Sequence, residues 1–516
     1  MATPNEKLAS ALERLKAVQA EGRVAIRSTD LTRTVRELLL KHGFLQEVMK
    51  GWYIPARPGG GGGESTAWYT SFWDFCRDYL GERFGTDWSL TPEQSLVLHA
   101  GNLSVPTQIL VRARGARNHV THLIHGTSLF EGAHTLPGPD DTAQLNGLRL
   151  FKPEAALVAA QPSFFEFHPT EARTILSTQR DASALLARLL RGGHTVVAGR
   201  LAGALRNIGR DREADEILAG MRAADYNARE ADPFKDGVAR VPYRRDPSPY
   251  VQRIRLLWQK MRNDIPSRFP APTSKINDID AYMRRVDDIY ATDAYHSLSI
   301  EGYQVSTDLI ERVRSGGWNP GHDQADREME NRLAARGYWL AFQAARDSVR
   351  RVLDGDNPGE VAERDHGAWY REMFAPKVTV GLLKPENLAG YRNGPVYLRG
   401  SRHVPLNADA VRDAMPAFFE LLSEEPEPAV RIVLGHFIYV YIHPYFDGNG
   451  RTGRFLMNVM MAAGGYPWTI IPVEARDRYM AALESASVDQ NIIPFTEFLA
   501  DQLARPVTGS TAIPVD

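Results

Sequence analysis

Apolar residues recur every three to four positions along many stretches of this 516-residue chain, and this spacing constrains its fold most. An α-helix turns once in 3.6 residues, so the spacing places apolar side chains on one face that must be buried. Strand-like stretches are few, at residues 107–112, 148–151 and 396–398. We therefore predict a mainly α protein, with helices at residues 5–20, 31–42, 182–190, 250–264, 278–290, 325–353, 411–422, 428–441 and 451–463.

The chain is long enough for about three domains, and shifts in composition indicate where they divide. The run PGGGGG at residues 58–63 and a stretch rich in charge and proline at 226–249 are typical of linkers. We predict a first module at residues 1–58, a middle region at 64–225, a linker at 226–249, a C-terminal domain at 250–505 and a tail at 506–516.

Composition argues against several classes of protein. The net charge is −2, so a global attraction to nucleic acid or to a membrane surface is not expected. The single cysteine, Cys76, excludes a disulfide framework and a multi-cysteine zinc site, and it favours a reducing cytoplasm. No stretch reaches the ~18 consecutive apolar residues of a membrane span, so we expect no membrane partner.

One short segment, HPYFDGNGRTGR at residues 443–454, concentrates catalytic residue types ahead of a predicted helix. Its glycines let successive backbone N–H groups face an anion, and the helix N-terminus adds a partial positive charge. Arg451 and Arg454 share one face of that helix and suit a polyphosphate. Asp447 could hold Mg²⁺, and His443 could accept a proton from an attacking hydroxyl. The segment predicts a site for a nucleoside triphosphate, a metal ion and a general base.

Three other interpretations of this segment are weaker. Residues 448–453 also fit the dinucleotide-binding pattern GxGxxG, but they follow a helix rather than a strand. His443 and Asp447 have the spacing of zinc ligands on a helix, but Pro444 interrupts that helix and no third ligand is near in the sequence. A polar loop that only caps a helix would not require so dense a set of catalytic residue types.

Residues 443–454 resemble the Fic-family motif HPFxDGNGRxxR, with Tyr445 in place of Phe, and the resemblance covers roughly residues 240–505. It implies an all-helical Fic core that transfers AMP from ATP, with Mg²⁺, to a Tyr, Thr or Ser hydroxyl of a protein. It implies that His443 deprotonates the hydroxyl, that Asp447 binds Mg²⁺ and that Arg451 stabilises the departing pyrophosphate. The residues that it implies for binding ATP are Gly448, Asn449, Gly450, Arg451 and Arg454.

Further residues around the motif fit the same family. Residues 390–392 and 396–398 resemble its flap, a small β-hairpin that docks target backbone as an added strand, although an ordinary surface hairpin is the alternative. Asn458 stands where the family often has asparagine. Tyr479 stands where an aromatic contact to adenine is expected, and a tyrosine of the core is the alternative there.

A second motif, SLSIEG at residues 297–302, fits the family's inhibitory pattern (S/T)xxxE(G/N) through Ser297 and Glu301. Glu301 could pair with Arg454 and occupy the place of the γ-phosphate, so that ATP binds only unproductively. The alternative is a salt bridge at a helix end without a regulatory role. The resemblance to enzymes that carry this brake ahead of the Fic core also raises removal of AMP as a second reaction.

The N-terminal half carries a different signal. Its first 60 residues contain ten Lys and Arg against six Asp and Glu, a net charge of +4. Asp30 could cap a helix at 31–42 that exposes Arg33, Arg36 and Lys41, and the turn KGWY follows at 50–53. This order resembles a winged helix. Residues 1–225 resemble, more loosely, AbiEi-type antitoxin and regulator proteins, with a winged-helix module and then an α/β region.

Two hypotheses follow from the sequence. In the first, the chain is an autoinhibited adenylyltransferase that acts on a protein substrate, itself included, and the N-terminal half selects the target or location. In the second, it is a DNA-binding transcriptional or toxin–antitoxin regulator with the Fic core as sensor or effector.

Basic helix faces that bind protein instead of DNA are the alternative for the first module. The motif specifies phosphates and not the base, so UMP transfer stays open, as does a homo-oligomeric state.

Overall fold

The computed structural model describes residues 3–20, 22–56, 58, 65–237, 239, 248–272, 276–315 and 326–505, without the side chains of 326–328. The chain forms two compact units. The first comprises Met1–Leu256 and Tyr397–Val404, and the second comprises Leu257–Val396 and Pro405–Asp516. Helices predominate and the strands are short, so the predicted mainly α class is confirmed. None of the helices in the described part is both long and apolar enough to cross a membrane.

The first unit combines short strands with helices. In chain order its elements are α1 (Pro4–Gln19), β1 (Ile26–Arg27), α2 (Arg33–Lys41), β2 (Leu45–Met49), β3 (Trp52–Pro55), α3 (Thr66–Phe84), β4 (Trp88–Leu90), α4 (Pro92–His99), β5 (Gln108–Ala113), β6 (His119–His122), β7 (Ser128–Gly132), β8 (Thr142–Leu145), β9 (Leu148–Phe151), α5 (Pro153–Ala159), α6 (Pro162–Phe167), α7 (Pro169–Thr178), α8 (Ser183–Gly192), α9 (Thr195–Asn207) and α10 (Asp211–Ala223).

Three sheets organise the strands of this unit. The first has the order β1-β3-β2 and is antiparallel, with Ile26 opposite Tyr53 and Gln46 opposite Ile54. The second has the order β4-β5-β7-β6, in which only β5 and β7 are parallel, and the third is the hairpin of β8 and β9. Trp68 and Phe72 of α3 are fully buried in the core beside β5.

The start of α2 differs from the prediction. Thr32, not Asp30, caps the helix, since its hydroxyl accepts a hydrogen bond from Val35 N. Asp30 instead accepts hydrogen bonds from Arg27, including one of 2.8 Å from its backbone N–H. Of the basic residues predicted to be exposed, Arg36 donates to a backbone carbonyl and Arg33 pairs with Glu37 on its own helix. Their charges are therefore partly compensated within the protein.

The predicted linker is largely part of the first unit. Phe234 is 8% exposed and belongs to the core formed by α5 to α10. Asn207 of α9 donates to Asp232 and to the carbonyl of Gly237, which fastens residues 226–237 to that core. The division between the units falls after Leu256 instead, within α11 (Pro249–Arg262). Most of the glycine run and the predicted tail lie outside the described residues.

The second unit is helical. Its further elements are α12 (Ile279–Ile300), α13 (Thr307–Arg314), α14 (Asp326–Leu353), α15 (Pro358–Thr379), α16 (Ala408–Glu424), α17 (Pro428–Ile442), α18 (Asn449–Ala463), α19 (Arg476–Val488) and α20 (Ile493–Ala504). Helix α17 is buried on nearly every face, and α18 packs against α14, α15 and α17. A helix that is apolar all round belongs at the centre of a domain, so α17 and α18 form the interior of this unit.

The predicted flap contains no strand, because residues 389–407 are extended or turned without ladder pairing. Its second half, Tyr397–Val404, belongs to the first unit. Gly400 N donates to Thr66 Oγ1 at 3.0 Å, and Val105 N donates to the carbonyl of Arg402 at 2.8 Å. The hydrogen bonds that a hairpin partner would have taken are therefore made partly with residues far away in the sequence.

A buried ion pair in the first unit generates a stability prediction. Arg253 and Glu171 are each 1% exposed, with Nη1 and Oε1 2.6 Å apart. Burial would raise the pKa of Glu171, but Arg253, His168 and Asn102 lower it to about 2. Replacing Arg253 by Met leaves this carboxylate facing an apolar chain. We expect a loss of about 3–5 kcal/mol in the free energy of opening of α7, measured by hydrogen–deuterium exchange across a urea series.

The matched control is Arg33→Ala, which removes an arginine whose side chain is 83% exposed. That variant should exchange like the parent chain. Equal protection of α7 in the two variants would show that the Arg253–Glu171 pair does not stabilise the first unit.

Candidate active site

The sequence HPYFDG forms the loop that joins the two central helices of the second unit. Helix α17 ends at His443, which adopts a left-handed backbone with φ +56°, and Gly448 turns the chain into α18 with φ +80°. Arg392 holds this loop from outside. Arg392 is 1% exposed. Its backbone N–H donates to the carbonyl of Pro444 at 2.9 Å, and its side-chain Nε donates to the carbonyl of His443 at 2.7 Å. Sequence analysis placed Arg392 in a flap and missed this structural role.

The backbone around His443 sets the state of its imidazole. Nδ1 lies 3.2 Å from the carbonyl of Val440, so this nitrogen carries the proton and Nε2 keeps a free lone pair. Burial lowers the pKa of His443 to about 4, with a further lowering from Arg392, while Glu301 and Asp447 act in the opposite direction. The ring is therefore neutral at pH 7 and ready to accept a proton on Nε2.

The N-terminus of α18 is open to an anion. No side chain caps it, and the first intrahelical bond runs from Thr452 N to the carbonyl of Gly448. The Asn449 side chain is turned away, because its amide bonds both the N–H and the carbonyl of Tyr445. Asn449 can therefore offer an anion its backbone only. The first-turn N–H groups of a helix have no intrahelical acceptor, and here they carry the partial positive charge of α18.

Asp447 and Arg451 form a pair at the same helix end. Asp447 Oδ1 accepts from Gly448 N at 2.6 Å and from Arg451 Nη2 at 3.0 Å. Burial would raise the pKa of Asp447, but Arg451, the Gly448 N–H and Lys377 lower it. The Asp447 side chain is 56% exposed, and a single exposed carboxylate beside a phosphate site fits Mg²⁺, which completes its shell with phosphate and water oxygens. The described residues contain no cluster of three or more His, Cys, Asp or Glu that could hold a metal by themselves.

Arg454 is held by both fixed polar residues of the second motif. Its Nε donates to Ser297 Oγ at 2.9 Å, and its Nη2 donates to the Ser297 carbonyl at 3.0 Å and to Glu301 Oε1 at 2.7 Å. Burial would lower the pKa of Arg454, but the charge of Glu301 and their hydrogen bond raise it overall. A Cβ on Gly450 would lie 2.5 Å from Glu301 Oε1, so the carboxylate sits directly on the first turn of α18.

The end of α12 places Glu301 at this position. Gly302 adopts φ +89°, which lets Tyr303 N donate to the carbonyl of Leu298 at 3.2 Å and closes the helix end. A left-handed residue at this point is the usual requirement for such a C-terminal turn, and glycine adopts it without strain. Arg476 Nε also donates to the carbonyl of Ile300 at 2.9 Å. The glycine of the motif is thus needed to stop the helix just after its glutamate.

Both arginines of α18 keep a buried donor unused. Arg451 Nε and Arg454 Nη1 are buried and form no hydrogen bond with any residue that the structure describes. Buried donors are rarely left unpaired in folded proteins, and each such group calls for an explanation. Arg451 is 2% exposed and Arg454 is 5% exposed, so an anionic ligand at the start of α18 would supply the missing acceptors.

Aromatic side chains that sequence analysis missed surround Arg451. Its Cζ lies 5.2 Å from the ring centroid of Tyr303 and 5.3 Å from that of Phe374, over both rings. Beside Asp447 opens a cavity of about 500 Å³, lined among others by Tyr370, Phe374, Lys377 and Phe446. These residues come from separate stretches of the sequence, and no short motif signals their convergence.

Two predicted residues serve a structural purpose. Tyr479 is 1% exposed and packs against Phe495 and Phe498, with its hydroxyl 2.7 Å from His436 Nε2. This burial favours the alternative of a core tyrosine over a contact to adenine, and the adenine contact stays an untested prediction. Asn458 bonds both the N–H and the carbonyl of Thr469, which ties α18 to the following loop.

Comparison with known proteins supports the resemblance of the motif. The model of the Fic/DOC family matches residues 364–461. Over 236 residues the chain is 29% identical to "Protein adenylyltransferase Fic" of Drosophila willistoni, which covers 45% of this chain and 44% of that protein. Over 238 residues it is 36% identical to the protein of the same name from Drosophila mojavensis, covering 44% and 43%. The chain thus spans less than half the length of these relatives.

Among solved structures, Fic-1 (aa134–508) from C. elegans aligns over 62% of this chain and 88% of its own, with 19% identity and a TM-score of 0.35. A Fic domain containing signalling protein from Bacteroides thetaiotaomicron aligns over 49% and 92%, with 16% identity and a TM-score of 0.33. The family match and the curated relatives together show that residues 364–461 form a Fic domain, homologous to that of the Fic-type protein adenylyltransferases.

Proposed function

We propose that the chain transfers AMP from ATP to a hydroxyl group of a protein and that Glu301 restrains this activity. The observation that carries the proposal is the uncapped N-terminus of α18, where buried donors of Arg451 and Arg454 have no acceptor in the described part of the chain and Glu301 lies on the first turn. A negatively charged ligand with several oxygens fits these donors, and a triphosphate provides them.

The reaction uses His443 as the base. The neutral Nε2 takes the proton of the acceptor hydroxyl as its oxygen bonds to the α-phosphorus, and the bond from that phosphorus to the bridging oxygen breaks. The products are an AMP ester of the protein and pyrophosphate, with the proton first on His443. The backbone N–H groups of residues 449–451 would hold phosphate oxygens, and Arg451 would offset the charge on pyrophosphate. Mg²⁺ held by Asp447 would neutralise further phosphate charge.

Glu301 restrains the reaction by position and by charge. Its Oε1 is 2.7 Å from Arg454 Nη2, so it takes a donor that a γ-phosphate would use. The Glu301 carboxylate and a γ-phosphate would repel each other at this position, because like charges interact strongly at close range in a poorly solvated site. ATP then binds with its phosphates displaced, or Glu301 must leave. Removal of AMP from a modified protein remains a second reaction in which this glutamate could take part.

A second candidate function, DNA binding by the first unit, is favoured by one observation. Strand β1 lies between α1 and α2 in the chain, and β2 and β3 follow α2 to complete a three-stranded sheet of order β1-β3-β2, the arrangement expected of a winged-helix module. Lys41 is exposed at the end of α2. Arg33 pairs with Glu37 on its own helix, and Arg36 donates to the carbonyl of Ser28. Binding of duplex DNA by the full chain that weakens steeply with salt, and weakens further on Lys41→Glu, would support this role. A salt-independent result would assign the module to protein contacts.

The first prediction from the proposed function concerns the restraint by Glu301. Replacing Glu301 by Gly frees Arg454 for phosphate, so we expect labelling by α-³²P-ATP with Mg²⁺ to rise at least about tenfold, on the chain itself or on a protein in lysate. The control is Glu301→Gly with His443→Ala, which keeps the freed arginine but lacks the base and should remain unlabelled.

The nucleotide and the direction of transfer are tested in the same assay. Substituting α-³²P-UTP distinguishes UMP transfer from AMP transfer. If Glu301→Gly stays unlabelled with every nucleotide while its fold is intact, the enzyme hypothesis fails and the regulator hypothesis takes its place. Release of labelled AMP that requires Glu301 would identify the reverse reaction.

The second prediction concerns pH. Since the pKa of His443 is lowered to about 4, its imidazole should stay neutral from about pH 8 down to about pH 5. Because Glu301 raises that pKa, Glu301→Gly should shift the titration further toward acid. The measurement is the ¹³C signal of the His443 ring in histidine-labelled protein, assigned by its loss in His443→Ala. A midpoint near the ordinary histidine value would contradict the buried neutral base.

A further inference from the structure

Tyr303 lies directly after the brake residues Glu301 and Gly302 and is half-buried. Its ring centroid is 5.2 Å from the guanidinium carbon of Arg451, and Phe374 of α15 approaches the same carbon at 5.3 Å. Lys377 lies near both rings as well, with Nζ 5.8 Å and 5.9 Å from their centroids. The rings of Tyr303 and Phe374, from distant parts of the chain, thus both lie near the cationic side chains of Arg451 and Lys377.

We propose that Tyr303 is a positioning residue that keeps Arg451 oriented for the departing pyrophosphate. The proposal rests on the function proposed above, since it assigns Arg451 to the leaving group. An aromatic face attracts a guanidinium without using its N–H groups. The stack can therefore orient Arg451 while Nη2 bonds Asp447 Oδ1 at 3.0 Å and the buried Nε remains available to a phosphate oxygen.

The position of Tyr303 does not depend on the Glu301 side chain. Its place is set by the turn at Gly302, with φ +89°, and by the bond from Tyr303 N to the carbonyl of Leu298. Both are backbone features that use no atom of the Glu301 side chain, so we expect them to persist when Glu301 is replaced. Glu301 and Tyr303 therefore act on different arginines with opposite consequences. Glu301 blocks Arg454, and Tyr303 supports Arg451.

The test is made in the full chain carrying Glu301→Gly. Tyr303→Leu keeps an apolar side chain but removes the aromatic face, and we expect kcat for labelling to fall roughly 5- to 30-fold. The KM for ATP should change less than about threefold, because the charge on pyrophosphate develops in the transition state. Tyr303→Phe keeps the face and should restore kcat. Tyr295→Leu, on α12 beside His296, is the matched control and should leave kcat unchanged.

A second readout does not depend on activity. The Nε–Hε NMR signal of Arg451, assigned with Arg451→Lys, should move in Tyr303→Leu by the ring-current contribution of Tyr303, while the contribution of Phe374 remains, and it should stay in place in Tyr303→Phe. If Glu301→Gly is not labelled at all, the proposed function fails, and this signal still decides whether the stack exists.

Three results would overturn the role of Tyr303. One is an unchanged kcat in Tyr303→Leu, and another is failure of Tyr303→Phe to restore kcat. The third is strong labelling by Tyr303→Leu with Glu301 intact, which would make Tyr303 part of the brake.

Discussion

Everything in the second unit depends on how the positive charge at the start of α18 is balanced. Arg451 and Arg454 are 2% and 5% exposed, and the open helix N-terminus adds to their charge. An unpaired buried charge costs several kcal/mol, so the site must hold compensating anions. In the described structure Asp447 and Glu301 supply them. A phosphate ligand could supply this charge instead, so ligand binding and the Glu301–Arg454 pair are competing ways to meet one electrostatic need.

Under the proposed restraint by Glu301, this competition gives Ser297 a purpose beside Glu301. The serine hydroxyl and carbonyl fix Nε and Nη2 of Arg454, so the guanidinium has one orientation, and Glu301 bonds the same Nη2. The remaining nitrogen, Nη1, has no acceptor among the residues that the structure describes. A phosphate that could bond Nη1 would therefore have an advantage that the carboxylate lacks.

The loop at 443–454 and the motif at 297–302 could be located from the sequence because each is a short segment, and the roles of their residues stay predictions. A histidine at a helix end, glycines before the next helix and a glutamate at the end of α12 are all visible within short segments. Sequence alone could not choose between a core position and an adenine contact for Tyr479, because spacing along α19 does not say which face turns to the core. Arg392, Tyr303 and Phe374 could not be assigned, since their contacts with 443–454 join positions tens to well over a hundred residues apart.

The same limit accounts for the predicted flap. A run such as Val396-Tyr397-Leu398 has strand-forming side chains, but strand pairing needs a partner, and propensity alone does not provide one. Here Gly400 and Arg402 bond Thr66 and Val105 of the first unit, and Val404 packs against its core. Backbone groups that would otherwise be free to add a target strand are thus partly engaged by the chain itself. A target that docks by strand addition must either use the remaining groups of this segment or displace the bonds to Thr66 and Val105.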